Sequence, residues 1–199
     1  MPPLFGVVMK LYGSTSSPFV RRLRLFLAGH SYDFVTLNIF EAKDRDLLTR
    51  LNPTHKIPML QDEQQVVFDS GVIYRYLSAK LKIKPLDWTQ ENTLTTINAA
   101  NDSLVELLLC KRSGFNVEED KLFFKLQRDR VAATLQVLND KVRAGEFEQW
   151  NYLSISLYCL VDWVLFRELV DMSKYPSLTA FRNTHENEAD VALTDPRHG

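Results

Sequence analysis

The chain has 199 residues, of which 45% are hydrophobic and 25% are charged, a composition typical of a folded globular protein. It carries 24 lysines and arginines against 25 aspartates and glutamates, and the net charge of -1 argues against a general nucleic-acid binder, which needs a basic surplus. Two cysteines exclude a disulfide framework and a cysteine-rich zinc site, and no apolar run approaches the ~20 residues of a membrane helix.

The first part of the chain predicts alternating strands and helices. Residues 7–12 predict a short buried strand, which a polar turn at 13–17 follows. Pro18 suits the first turn of a helix, where its missing N–H costs nothing, and this helix is expected to end near Gly29. A second strand is predicted at 32–37, so the order favours a right-handed parallel strand–helix–strand unit.

A second group of elements follows before residue 82. A short charged helix is predicted at 41–51, and residues 52–56 form a loop. The apolar segments 57–60 and 65–68 flank an acidic pair and predict a hairpin. Another helix begins at Asp69-Ser70, because a capping side chain there precedes apolar residues at helical spacing.

The rest of the chain predicts helices alone. Residues 82–89 have no clear period and contain a proline, so the domain linker is placed there. Helices are predicted at 90–112, 118–144, 151–170 and 176–188. Either Asn151 or Ser154 could cap the third of them. The predicted fold class is therefore an α/β unit followed by an all-α unit.

A serine-rich turn stands between the first strand and the first helix. Hydroxyl groups of Ser14, Thr15, Ser16 and Ser17 would face the free N–H groups and the positive dipole end of the helix. Such a place stabilises a thiolate, a carboxylate or a phosphate, although simple N-capping explains the same residues. The glycine-rich pattern of a phosphate loop is missing.

Two further places are candidates for ligand binding. Pro58 belongs at a strand start or edge, and a cis bond to Ile57 would turn that residue's N–H and C=O outward for a peptide ligand. A trans proline that opens an edge strand is the simpler alternative. At Asp69-Ser70, a hydroxyl and helix N–H groups could bind a carboxylate, or the pair could merely cap the helix.

Other residues give weaker indications. The four histidines lack metal-ligand spacing, so no metal site is expected. A catalytic serine of the G-x-S-x-G type is also absent from the sequence. The first predicted helix carries Arg21, Arg22 and Arg24, which we expect to form a solvated face, with a basic binding patch as the alternative.

The order of these features resembles the glutathione S-transferase family over nearly the whole chain. The elements that carry the resemblance are Ser17-Pro18 at a strand–helix turn, Asn52-Pro53-x-x-Lys56-Ile57-Pro58 before a hairpin, and Asp69-Ser70 at a helix start. The turn sequence Ser-Pro-Phe-Val-Arg looks most like small bacterial members. The resemblance implies a thioredoxin-like βαβαββα domain at 1–81, a linker at 82–89, and an all-helical domain at 90–199.

The resemblance also implies how glutathione would bind. Lys56 matches a position that approaches the glycyl carboxylate. Ile57, before the family's cis proline at Pro58, would pair its backbone with the cysteinyl residue. The pair Asp69 and Ser70 matches the acid and serine that hold the γ-glutamyl end.

Ser17 matches the position where related proteins carry a catalytic serine or cysteine, so it is expected both to bind and to activate the glutathione thiol. Because a serine cannot form a mixed disulfide, conjugation is favoured over disulfide exchange. Tyr12, Ser14, Thr15 and Ser16 remain competitors for the thiol contact.

The implied activity is a transferase reaction in which glutathione, as co-substrate, joins small electrophiles, with a role in detoxification. The electrophile would lie between the serine-rich turn and the helices at 90–112 and 118–144. Leu104, Leu107, Leu108 and Phe115 either line that pocket or belong to the core. The alternative function is that of a non-catalytic regulator, similar to the stringent-starvation proteins that bind RNA polymerase.

The family usually forms two-fold homodimers, and Phe40, Phe68 and Tyr74 are candidate anchors for one here. The start of the chain lacks a signal-peptide pattern, so we expect a cytoplasmic protein without membrane or nucleic-acid partners.

Two positions depart from the family pattern. Ser154 is followed by Leu157, which cannot return the contact of a capping box, and Thr54-His55 stand where a glycine is usual. We expect the first change to affect helix stability and the second to affect ligand affinity.

Overall fold

The computed structural model describes residues 9–198, and the chain divides into two compact units. The N-terminal unit comprises the residues up to Pro85 together with Glu188 and the residues after it, and the helical unit comprises Leu86–Asn187. Elements of the N-terminal unit are β1 (Lys10–Gly13), α1 (Pro18–Phe26), β2 (Asp33–Thr36), α2 (Ala42–Leu51), β3 (Met59–Asp62), β4 (Gln65–Phe68) and α3 (Ser70–Leu81).

The four strands form one mixed sheet in the order β2-β1-β3-β4. Strand β1 pairs with β2 in parallel and with β3 antiparallel, and β3 pairs antiparallel with β4. This is the predicted thioredoxin-like βαβαββα arrangement, and the fold class is confirmed. Residues 7 and 8 of the first predicted strand lie outside the described residues. Strand β3 begins after Pro58, because proline has no N–H to donate to a ladder.

The sheet packs on a core that reaches the serine-rich turn. Tyr12, Leu37, Leu48 and Met59 are buried together, and the Ile57 side chain packs against this cluster. Gly13 ends β1 where α1 comes very close: a Cβ on Gly13 would lie 2.4 Å from Val20 Cγ2. Only glycine therefore allows α1 to approach the end of β1 in this way.

The prediction of a solvated arginine face on α1 is wrong for two of its three members. Arg21 and Arg22 are buried. The Arg21 side chain donates to Thr194 Oγ1 at 3.2 Å and to the Val191 carbonyl oxygen at 3.0 Å, so it ties α1 to residues near the C-terminus. Arg24 is partly buried, with its guanidinium 4.3 Å from the centre of the Phe34 ring. The partners of Arg21 are distant in sequence, so no local pattern indicates that this side chain is buried.

The helical unit contains α4 (Trp88–Arg112), α5 (Leu122–Arg143), α6 (Tyr152–Arg167), a short 3-10 helix (Met172–Lys174) and α7 (Pro176–Thr184). Helix α6 forms the centre of the unit, since its residues from Tyr152 to Val164 are all buried. No helix in the described part of the chain is both long and apolar enough to cross a membrane.

The expectation that α6 lacks a capping box is wrong. Asn151 is the N-cap, and its side-chain oxygen accepts from the N–H of Leu153 and of Ser154. Ser154 Oγ in turn accepts from the Asn151 N–H at 2.9 Å, so the reciprocal contacts are complete one turn earlier than the family pattern suggests. Leu157 takes no part in the cap and is buried in the apolar core.

Candidate functional site

The sheet register brings three candidate segments, the serine-rich turn, Ile57-Pro58 and Asp69-Ser70, to the same end of the sheet. Tyr12 of β1 faces Met59 of β3, and Met59 faces Phe68 of β4. Neighbouring strands lie about 4.8 Å apart, so the chain beyond each of these residues emerges at the same end of the sheet. The serine-rich turn follows Tyr12, the Ile57-Pro58 segment precedes Met59, and Asp69 follows Phe68.

At the turn, Ser17 is the N-cap of α1. Its backbone is extended, and its Oγ accepts from the Val20 N–H at 3.4 Å. Because that contact uses an oxygen lone pair, the hydroxyl proton remains available to a ligand. Pro18 at the first helical position carries no N–H, and the Phe19 N–H has no partner among the described residues. The end of α1 thus offers two donors together with the positive end of its dipole.

The competing hydroxyl groups are partly engaged. The Tyr12 hydroxyl donates to Gln61 Oε1 at 2.9 Å across the sheet. Ser14 Oγ and Ser16 Oγ lie 3.1 Å apart and bond to each other. Their mutual bond and a contact from the Ser16 N–H to Ser14 Oγ fold the turn. Compared with Tyr12, Ser14 and Ser16, Ser17 is therefore the better placed donor to a ligand at the helix end.

The loop that leads to Ile57 is held by one buried amide. The Asn52 side chain is 0% exposed, and its Nδ2 donates to the Lys56 carbonyl oxygen at 2.7 Å. Its Oδ1 accepts from the Thr54 N–H at 2.9 Å and from the Thr54 hydroxyl at 2.8 Å. Asn52 therefore fixes the path of the chain between α2 and Pro58. His55 within this loop has a positive φ of 54° and an exposed side chain.

The peptide bond between Ile57 and Pro58 is cis. The Ile57 side chain points to the core cluster, whereas its N–H and C=O have no hydrogen-bond partner among the described residues. An unpaired donor and acceptor on one residue can both bond to the backbone of an extended peptide ligand. Lys56, immediately before Ile57, has an exposed side chain that could meet a carboxylate.

Asp69 caps α3 in a strained conformation. Its φ is 74°, a region that residues other than glycine rarely adopt, and its Oδ1 accepts from the N–H groups of Gly71 and Val72 at 2.9 and 3.1 Å. Non-glycine residues in such a conformation cost about 1–3 kcal/mol and cluster at ligand sites. The carboxylate is exposed, while Ser70 is buried as the first residue of the helix.

The buried carboxylate of Asp62 connects the β3–β4 hairpin to α3. Asp62 of β3 accepts from the Tyr76 hydroxyl at 2.6 Å and from the Lys80 ammonium. Burial alone would raise the pKa of Asp62, but the hydrogen bonds from Lys80 and Tyr76 outweigh it and hold that pKa below its usual value. The same bonds raise the pKa of Lys80 and of Tyr76.

The sequence does not indicate three features of this site: the anchoring amide of Asn52, the close approach at Gly13, and the unpaired N–H of Phe19. The Asn-Pro pair at 52–53 belongs to the family motif, but residue type alone does not specify the partners of the Asn52 side chain. Within residues 9–198 no cluster of three or more potential metal ligands occurs.

Comparison with known proteins finds similarity to the same family that the sequence motifs resemble. Residues 7–79 match the family described as the N-terminal domain of glutathione S-transferase. The chain is 27% identical to an uncharacterised GST-like protein, YibF, of Escherichia coli K12 over 81% of this chain and 84% of that protein. It is 26% identical to glutathione S-transferase U17 of Arabidopsis thaliana over 94% of this chain and 90% of that protein.

Solved structures share the fold over almost the full length. A glutathione-bound glutathione S-transferase from Methylobacillus flagellatus superposes with a TM-score of 0.82 at 21% identity, over 94% of this chain and 99% of that one. A glutathione transferase family member from Pseudomonas fluorescens Pf-5, also with bound glutathione, gives a TM-score of 0.81 at 23% identity, over 94% and 98% of the two chains. None of these similarities favours a regulatory protein.

Proposed function

We propose that the chain is a member of the glutathione S-transferase family, and that it binds glutathione and transfers the glutathionyl group to small electrophiles. One observation carries the proposal. Because of the register of β1, β3 and β4, three groups lie at the same end of the sheet: the helix end capped by Ser17, the unpaired N–H and C=O of Ile57, and the pair Asp69-Ser70.

Each part of glutathione has a chemically suitable partner at this end of the sheet. The N–H and C=O of Ile57 suit the backbone of the cysteinyl residue, which fixes where the sulfur lies. The free oxygen of the Asp69 carboxylate suits the γ-glutamyl ammonium, and Ser70 at the N-terminus of α3 suits the γ-glutamyl carboxylate. The exposed ammonium of Lys56 suits the glycyl carboxylate. Ile57 lies before Pro58 and therefore outside β3, so its N–H and C=O are not used by the strand pairing.

Ser17 is then the catalytic residue. A free thiol has a pKa near 8.5, and lowering it by two units requires about 2.7 kcal/mol of preference for the thiolate. A hydrogen bond from the Ser17 hydroxyl to a charged sulfur contributes about 1.5–3 kcal/mol, and the end of α1 adds about 0.3–1 kcal/mol. These two contributions cover the requirement without a general base.

The thiolate attacks an electrophilic carbon, a carbon–sulfur bond forms, and the leaving group departs with its electron pair. The thiol proton of glutathione passes to solvent water when the thiolate forms. Ser17 retains its own proton and donates a hydrogen bond to the sulfur, so the protein accepts no proton. Because the side chain is a hydroxyl, it forms no disulfide with glutathione, and the chemistry is conjugation.

Calorimetric titration with glutathione tests binding directly. We expect one glutathione per chain, together with turnover of a chloronitrobenzene as a chromogenic electrophile. Cysteinylglycine, which lacks the γ-glutamyl group, is the matched control and should bind at least about tenfold more weakly, since it loses the charged contacts of Asp69 and Ser70. No binding of glutathione would contradict the proposal and favour a regulatory protein.

We further propose that the protein is a cytoplasmic homodimer, with residues 1–81 as the main part of the glutathione-binding domain and the helices between 88 and 187 as the helical domain. Of the three candidate anchors, Tyr74 is buried against Phe26 inside the N-terminal unit, whereas Phe40 is 67% exposed. A large apolar side chain with that exposure suits a contact with a second chain. Sedimentation velocity tests the expected two-chain mass.

A further inference from the structure

Arg21 joins helix α1 to residues 188–195, the post-α7 segment, which belongs to the same N-terminal unit. The Arg21 side chain is 3% exposed, and Thr194 and Val191 are buried as well. Arg21 Nε donates to Thr194 Oγ1 at 3.2 Å, and Arg21 Nη2 donates to the Val191 carbonyl oxygen at 3.0 Å. Because a guanidinium is planar and rigid, two bonds from different nitrogens fix the direction of the side chain.

The post-α7 segment holds both acceptors in place through bonds of its own. The Thr194 hydroxyl donates to the Asp190 carbonyl oxygen at 2.8 Å, and the Thr194 N–H donates to the same oxygen at 2.9 Å. The Val191 N–H donates to the Glu188 carbonyl oxygen at 3.2 Å. A hydroxyl that donates its proton keeps its lone pairs, so Thr194 accepts from Arg21 at the same time. Val191 and Thr194 are the buried residues of the segment, and both accept from Arg21.

Arg21 lies one helical turn after Ser17 on α1. The Arg21 N–H donates to the Ser17 carbonyl oxygen at 3.0 Å, and Ser17 Oγ accepts from the Val20 N–H. The first turn of α1 is therefore bonded to a residue whose side chain is anchored outside the helix. The close approach of Gly13 to Val20 attaches the same turn to the end of β1. Two attachments thus determine where Ser17 lies.

A guanidinium is a costly group for a buried position. Its burial costs free energy that its hydrogen bonds have to offset, whereas an apolar side chain of similar volume would pack there without that cost. Hydrogen bonds from a rigid planar group add direction, because they form only when α1 and the post-α7 segment have one relative position. The bonds of Arg21 therefore suit a place where the exact position of the helix matters.

We propose that Arg21 is a positioning residue for thiolate formation, because it holds the first turn of α1 where the Ser17 hydroxyl reaches the sulfur of glutathione. This inference rests on the proposed function, since Ser17 acts on a bound thiol. Arg21 is buried and acts through Ser17. Its loss should therefore move the pKa of the bound thiol, whereas the affinity for glutathione, which depends on the other contacts of the tripeptide, should remain.

The pH dependence of thiolate ultraviolet absorbance in the glutathione complex of Arg21→Gln tests this role. We expect the thiol pKa to rise by about one unit, because a hydroxyl displaced from its best position donates a weaker bond to the sulfur. At a pH below the thiol pKa, kcat should fall about tenfold and recover as the pH rises. The KM for glutathione should stay within about twofold of wild type.

Thr194 offers a matched pair of variants that leave Arg21 and α1 unchanged. Thr194→Val has nearly the same shape but lacks the hydroxyl that accepts from Arg21, and it should raise the thiol pKa by about half a unit. Thr194→Ser keeps the hydroxyl and should titrate like the wild type. This pair decides the question if Arg21→Gln does not fold.

Asp62→Asn separates positioning from stability. Asp62 bonds to Tyr76 and Lys80 of α3, so its substitution should lower the urea midpoint and leave the pKa of the bound thiol unchanged. The inference is overturned if Arg21→Gln and Thr194→Val titrate like the wild type, or if Thr194→Ser or Asp62→Asn shifts the thiol pKa as much as Thr194→Val. A wild-type thiol that titrates like free glutathione contradicts the proposed function itself, and this inference with it.

Discussion

The two units differ in the groups that line their open surfaces. In the N-terminal unit, the proposed glutathione site consists mostly of backbone atoms and helix ends, namely the N–H and C=O of Ile57 and the first turns of α1 and α3. In the helical unit, the ends of long cationic side chains line a cavity. A substitution removes a guanidinium group but does not remove a backbone N–H or C=O.

This difference predicts where substitutions act. Backbone groups depend on buried residues that hold the chain in place and never touch the ligand. Asn52 fixes the loop before Ile57, and Gly13 allows α1 to approach the sheet. Changes behind the N-terminal site should therefore weaken binding indirectly.

The largest effect is expected for Asn52→Ala. The substitution leaves the Lys56 carbonyl oxygen and the Thr54 N–H without their buried partner, which costs about 1–3 kcal/mol of stability. Because the loop also positions Ile57, the Kd for glutathione should rise about tenfold. Urea unfolding and calorimetric titration measure the two effects.

The matched control is Asn38→Ala, which removes an exposed loop amide that bonds to Glu41. It should change stability by about 0.5 kcal/mol or less and leave glutathione affinity unchanged. If Asn52→Ala loses stability but binds glutathione as wild type does, Asn52 does not position the site.

A smaller and purely structural effect is expected for Asp62→Asn. Asp62 joins β3 to α3 through Lys80 and Tyr76, so the loss of its charge should destabilise the N-terminal unit by about 1–2 kcal/mol. Glutathione affinity should not change, because these contacts lie toward the far end of α3 from Asp69. The exposed neighbour variant Glu63→Gln serves as control.

The stability difference between wild type and Asp62→Asn should depend on pH. Because the folded protein holds the pKa of Asp62 below its unfolded value, the charge contributes fully above about pH 4 and its contribution is lost as the pH falls through the folded pKa. Urea unfolding at a series of pH values measures this. A difference that grows on acidification would contradict the assigned role of Asp62.

The fold was predictable because its signals are local. Apolar periodicity, Pro18 at a helix start and the hairpin around 61–64 each indicate one element, and their order indicates the thioredoxin-like arrangement. Boundaries were less accurate where tertiary contacts decide them. Helix α4 begins at Trp88, inside the predicted linker, because Asp87 and Gln90 form a capping box there.

The contacts that support the site were not predictable, because their partners are distant or not specified by residue type. Arg21 looks solvated in a helical pattern, yet it is buried through bonds to Thr194 and Val191, about 170 positions away along the chain. The basic cavity combines residues of three separated segments, none of which is unusually basic on its own. Ser17 at the start of its helix, by contrast, is a local feature that the sequence indicates, and its role toward the thiol stays a prediction.

The pKa of the thiol in bound glutathione tests the central claim most directly. The pH dependence of thiolate ultraviolet absorbance is followed in saturated complexes of the wild type, Ser17→Ala and Ser16→Ala. We expect a wild-type pKa about two units below 8.5, an increase of about 1–2 units in Ser17→Ala, and no change in Ser16→Ala. A Ser17→Ala complex that titrates like the wild type, or a wild-type thiol that titrates like free glutathione, would contradict the role of Ser17.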